Sequence, residues 1–130
     1  MVEVAYAHGA RQVRVSEDEV EELLDRIADE ARRARRPQDV QVTVASAGTL
    51  GIVVGADWSV LNHVPMNLDP PYMVSVGDDQ GKEPVVFYVA GDHHSETLRR
   101  NTIRPEAARA AMRHFVATGQ LSPAVTWEEV

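Results

Sequence analysis

The sequence predicts an α+β fold: an antiparallel sheet of about five to seven strands with two amphipathic helices packed on one face. Three observations predict it. Apolar residues recur at helical spacing in two segments with recognisable starts and stops, Ser16–Pro37 and Ile103–Gly119. Most of the remaining chain alternates with period two between short turns rich in glycine, aspartate and proline, which suits antiparallel pairing. At 130 residues the chain is long enough for one domain with a real core and too short for two ordinary ones, so residues 1–130 read as a single domain.

Val2 to Ala7 alternates as a short strand ended by His8-Gly9, and Arg11 to Val15 alternates again as a second short strand or the approach to a helix. Ser16 and Glu19 form an S-x-x-E capping box, and Val20, Leu23, Leu24, Ile27 and Ala31 lie on one stripe behind it. Acids crowd the first turns and arginines the last (Arg32, Arg33, Arg35, Arg36), as the helix dipole prefers, and Glu22→Arg26 and Asp29→Arg33 have favourable i,i+4 spacing. Pro37 ends the helix. Val40–Val44 reads as a half-buried strand, Thr49–Gly55 as an interior one, and Trp58–Val64 as the next, reached through a Gly55-Ala56-Asp57 turn. The Pro65–Pro71 loop resists central pairing. Tyr72–Val76 and Pro84–Ala90 are then expected to pair as a hairpin across the polar turn between them, and Gly91–Asn101 is an edge strand or a loop. In the last helix Pro105 sits at the first position, Ala108, Met112, Phe115 and Val116 form the stripe, and Gly119 marks the stop.

Composition excludes several classes. The net charge of −7 argues against direct nucleic-acid binding, which needs a basic surface, and suits a basic protein partner or simple solubility. Without cysteine there can be no disulfide, thiolate nucleophile or cysteine-ligated zinc. No apolar run approaches membrane-spanning length and no secretory signal is evident, so the cytoplasm is the expected compartment.

The candidate chemistry is thin. Asp92-His93-His94-Ser95-Glu96 invites a metal site, and a small metal-binding protein or enzyme built on Asp92, His93, His94 and Glu96 is one alternative. Adjacent strand residues point to opposite faces, however, so His93 and His94 could share an ion only from a loop. His94-x-Glu96 matches half of the zinc-deaminase signature, but the other half requires cysteines. There is no G-x-S-x-G, no G-x-G-x-x-G and no P-loop, so neither a catalytic set nor a cofactor is expected and the protein reads as a non-enzyme. Trp127 reads as a core plug under the last helix, whereas Trp58, beside Asp57 at a turn, is the better exposed anchor.

The pattern YMVSVGD, PVVFYVAGDHHSE, the Arg104-Pro105 helix AARAAMRHFVATG and then PAVTWEE resembles the Imm1 family of bacterial immunity proteins, found in polymorphic toxin systems and commonly beside deaminase-superfamily toxins. The matching positions are Gly77, Asp78, Phe87, Gly91, Pro105, Phe115, Gly119, Trp127 and Glu128. The resemblance is good over the C-terminal half, looser over Val40–Val64 and generic before it. It implies a non-enzymatic inhibitor whose partner is a cognate toxin, and the charge and hydropathy above add the expectation that neither nucleic acid nor membrane is bound directly. The expected contact residues, all on turns or edges, are Asp57, Trp58, Asp78, Asp79, Asp92 and Glu96. A generic self-associating interaction module is the remaining alternative. The sequence does not fix the oligomeric state, and it leaves Glu128 and Glu129 undecided between core and surface.

Overall fold

Period-two alternation builds the sheet strand by strand. The computed structural model describes residues 2–6, 11–90 and 92–130. Its strands are β1 (Val2–Tyr6), β2 (Arg11–Val15), β3 (Gln38–Val44), β4 (Gly48–Val54), β5 (Leu61–Val64), β6 (Met73–Val76), β7 (Pro84–Val89), β8 (His93–Leu98) and β9 (Thr126–Glu129). Helix α1 (Glu17–Ala34) lies between β2 and β3, and α2 (Pro105–Thr118) between β8 and β9. The main path runs β2-β1-β3-β4-β5-β6-β9 with every ladder antiparallel. The β7–β8 hairpin branches from it, joined to the start of β3 through one parallel position, Gln38 against Tyr88.

Both helices form where their signals stand. The Glu19 carboxylate accepts the Ser16 backbone N–H at 3.0 Å and the Ser16 hydroxyl at 2.8 Å, which closes the start of α1. These hydrogen bonds, the backbone one foremost, hold the Glu19 carboxyl below its ordinary range. At the other end Arg35 takes a left-handed conformation (φ 56°) and Arg36 lays its guanidinium 4.8 Å from the centre of the Tyr88 ring. Pro105 opens α2, and Gly119 closes it at φ 74°, where a side chain would be strained. The ion pairs of α1 run to other elements rather than along the helix. Arg109 of α2 reaches Asp25 at 2.7 Å and Glu21 at 3.3 Å, and Arg113 reaches Glu21 at 2.9 Å.

The main core lies between the helices and one face of the sheet. Val20, Leu23, Leu24 and Ile27 of α1 and Ala108, Met112 and Phe115 of α2 pack on Val4, Val40, Val42, Leu50, Ile52 and Leu61. Burying one such side chain contributes roughly 1.5–3 kcal/mol, so this layer dominates the stability. Trp127 packs against it as the sequence suggests, its indole N–H donating to the Ser122 carbonyl at 3.0 Å. His63 also belongs here, its Nε2 at 2.9 Å from the Ala47 carbonyl oxygen and its ring edge-on to Phe115.

A second, smaller cluster joins Val53, Val60, Val74 and Phe87, with Trp58 and Val89 packed against it. Val53 alternates with Ile52 and Val54, so it points away from the helices. This explains the unbroken apolar run of β4: both of its faces are covered. Asp39 on β3 is only 6% exposed, opposite Val53, and its carboxylate accepts from Gln41 Nε2 at 2.7 Å. Burial pushes its carboxyl above the usual range, and the Gln41 hydrogen bond opposes this only in part.

The structure corrects one expected pairing. Tyr72–Val76 and Pro84–Ala90 do not form a hairpin: β6 pairs with β5 and β9, whereas β7 pairs with β8 and touches β3. Both edges of β6 are already occupied, and Phe87 gains burial in the second cluster. The polar segment after it, His93–Leu98, is the true partner of β7. With Arg11–Val15 and Thr126–Glu129 also paired, the sheet reaches nine strands, beyond the expected five to seven. The expected strand end at His8-Gly9 and the matching position Gly91 lie outside the described residues. Among the described residues no helix is long and apolar enough to cross a membrane.

Candidate functional site

A strut made by residues 99–104 builds the main cleft. Residues Arg99–Asn101 form a short 3-10 turn. Beyond it Ile103 exchanges two backbone hydrogen bonds of 2.8 Å with Ser59, which fixes the Asp57-Trp58 turn. The Gly77 N–H donates to the Arg100 carbonyl at 2.9 Å, and the Arg100 N–H donates to the Gly81 carbonyl at 2.9 Å, which pins the loop after β6 alongside. Gly77 has to be glycine here, because a Cβ would overlap the Thr102 carbonyl oxygen. Within the loop Asp79 accepts the Gly81 N–H at 2.7 Å, so one of its oxygens shapes the turn.

Polar groups lock the strut to the sheet. Ser75 Oγ donates to the Asn101 carbonyl at 2.9 Å and accepts the Leu61 N–H at 3.0 Å, and Asn101 Nδ2 donates to the Ser75 carbonyl at 3.0 Å. Glu128 completes the lock. Its carboxylate takes both terminal nitrogens of Arg100, with Nη2 at 3.0 Å, and Asn101 Nδ2 at 2.9 Å. The hydrogen bonds from Arg100 first, then Asn101, hold the Glu128 carboxyl below its ordinary range, and the same pairing raises the Arg100 guanidinium. Glu128, undecided from sequence, is thus a structural clamp, while Glu129 is exposed.

The resulting cleft of about 380 Å³ is lined by Asp57, Trp58, Gly77, Asp78, Asp79 and Arg104, among others. It draws together four of the six expected contact residues from stretches about twenty positions apart. Asp57, Asp78 and Asp79 are exposed, while Trp58 is half-buried, one side rooted in the second cluster and the other open to the cleft. Asp57 lies 3.7 Å from Arg32, but both side chains are largely exposed, so the pair contributes little. Arg104 and Thr126, which also line the cleft, lie in segments that carry the family resemblance but are not among the expected contact residues. Asp92 and Glu96 do not line it; they sit on the β7–β8 hairpin, Glu96 opposite Val86. His93 and His94 are consecutive on β8, so they alternate sides, and His94 meets the edge of Tyr88. Among the described residues no three histidine, aspartate or glutamate side chains gather into a metal-holding group.

The chemistry such a cleft offers is recognition. Among the described residues three exposed carboxylates, of which Asp79 is held by the Gly81 N–H, outnumber the one lining cation, Arg104, and with one aromatic wall suit a cationic side chain. The family comparison agrees in kind. The model of the family described as Immunity protein Imm1 matches residues 8–129, nearly the whole chain. The chain belongs to the Imm1 immunity protein family. That match extends the C-terminal resemblance across the first helix and the central strands. Its name implies a toxin as the partner of this Imm1 protein. No curated protein matches the sequence.

Proposed function

We propose that this Imm1 protein binds a cognate toxin of a bacterial polymorphic toxin system and neutralises it in the cytoplasm of the producing cell, without catalysis of its own. The toxin in this reading acts on nucleic acid, as a deaminase-type enzyme does, and is blocked by occlusion of its active site or substrate channel. The observation that carries the reading is the cleft, whose lining, among the described residues, brings Asp57, Asp78 and Asp79 together with Trp58 and a single cation, Arg104. An enzyme that holds nucleic acid needs positive charge along its channel. Carboxylates on a rigid frame can occupy that charge in place of phosphates, steering the encounter, while a tryptophan desolvated at the centre slows dissociation. Asp92 and Glu96, on the hairpin, serve in this reading as an outer acidic rim.

Co-expression with the toxin encoded beside the gene tests it. Wild-type protein is expected to protect the cells, and Asp57→Asn/Asp78→Asn/Asp79→Asn to protect less and to bind with a weaker dependence on salt. Loss of protection by wild type would overturn the reading.

A further inference from the structure

We infer that the loop joining β5 to β6, residues 65–72, is a preformed apolar anchor that enters a basic-rimmed hydrophobic pocket on the toxin. The inference rests on the toxin-binding reading and adds a second contact to it, away from the acidic cleft. Among the described residues five large hydrophobic side chains are exposed, and three of them, Met66 at 45%, Leu68 at 70% and Tyr72 at 38%, belong to this one loop. A fourth, Val130, is tied to the loop through its N–H, which donates to the Tyr72 carbonyl at 2.9 Å.

The loop is built to hold its shape. The Leu68 N–H donates to the Pro65 carbonyl at 2.9 Å, the Asp69 N–H to Asn67 Oδ1 at 3.0 Å, and the Tyr72 hydroxyl to the Leu68 carbonyl at 2.6 Å. At its tip Leu68 takes a left-handed conformation, φ 65°. Glycine or asparagine would suit that backbone better, and a polar residue would suit that exposure better. Leucine there is unfavourable on both counts for the isolated fold and joins neither core cluster. Its contribution therefore lies in a complex, where an apolar side chain already ordered loses little entropy on binding.

Charge decides the occupant. Asp69 follows Leu68 directly within the loop and Glu129 pairs with Met73 at its base, so a carboxylate stands at each end of the apolar segment. A second copy would bring the same acids and the same net charge of −7 against them, and an anionic lipid surface would repel them too. A toxin pocket with basic residues at its rim complements both features. Strand β6 starts at the loop and ends at the cleft, about 13 Å of extended chain, so one interface of ordinary size reaches both.

The test measures binding of the catalytically inactivated toxin domain encoded beside the gene to wild type, Leu68→Asn, Met66→Ser/Leu68→Asn and Tyr72→Phe. Asparagine accepts the left-handed backbone, so Leu68→Asn should melt no lower than wild type. Its affinity should fall roughly tenfold to a hundredfold, chiefly through faster dissociation. Tyr72→Phe, which frees the loop but keeps its apolar surface, should show a smaller loss. Leu68→Asn binding as tightly as wild type would overturn the anchor and leave the cleft reading standing, whereas wild type failing to bind would overturn both. Sedimentation of the protein alone, and with phosphatidylcholine–phosphatidylglycerol vesicles, completes the test. Dimerisation or vesicle binding abolished by Leu68→Asn would assign the loop to a second copy or a membrane and overturn the toxin pocket.

Discussion

The two faces of the sheet are built on different principles. On the helix side, residues from six strands and both helices interlock in one continuous core, and Phe115, Leu24 and Met112 are fully buried. On the other side four buried residues and the flank of Trp58 make a small cluster at one end, beside a buried carboxylate. The first face holds the fold together. The second holds up the candidate site, because Trp58 at once packs against the small cluster and lines the cleft. In the proposed reading stability and recognition are thus concentrated in different layers, and substitutions can separate them.

The largest effect should come from Phe115→Ala, which opens a cavity in the main core and is expected to cost about 3–5 kcal/mol in urea unfolding. Phe87→Ala should cost less, nearer the lower end of that range, since the small cluster at the sheet's periphery can collapse around the gap. It should nevertheless weaken toxin binding at temperatures where the protein remains folded, because Trp58 loses its support. Equal unfolding costs at the two positions, with binding untouched by Phe87→Ala, would remove the distinction between the faces.

Two carboxylates sharpen the contrast through pH. Asp39 is buried and its folded pKa is raised above the ordinary 3.8, so the stability linked to it is full below that value and is lost as pH rises through the folded pKa. Asp39→Asn should therefore remove this decline from the stability–pH curve. Glu128 has the opposite sign: its folded pKa is lowered from 4.5, so its contribution is present above 4.5 and is lost as pH falls through the folded value. Glu128→Gln should flatten the acid limb of the curve and speed hydrogen exchange at Gly77 and Arg100, with a smaller stability change than either core truncation. Carboxyl NMR titrations of the two residues check both directions.

How much of this the sequence revealed follows the same division. Helices α1 and α2, their caps at Ser16 and Gly119 and their buried stripes are local patterns, and each forms where its residues predict. Trp127 under α2 was legible because Gly119 and Pro123 return the chain onto the helix. The β6–β7 hairpin was misread because turn composition reports a reversal but says nothing of which strand edge is vacant. Strand β8 was ambiguous because HHSETL is polar and half-exposed, without an apolar alternation to set its face. In the site, Asp57, Trp58, Asp78 and Asp79 were legible singly as turn residues. Their convergence was not, since it depends on the Ser59–Ile103 bridge and on Gly77 meeting residues 100 and 102. Glu128 likewise depends on a partner 28 positions away.

Hydrogen–deuterium exchange of the protein, free and bound to its inactivated toxin, tests the central claim most directly. Protection is expected at residues 57–59 and 77–81, with the outer surface of α1 unchanged. Protection confined to α1 and α2, with the cleft exchanging as in the free protein, would contradict it.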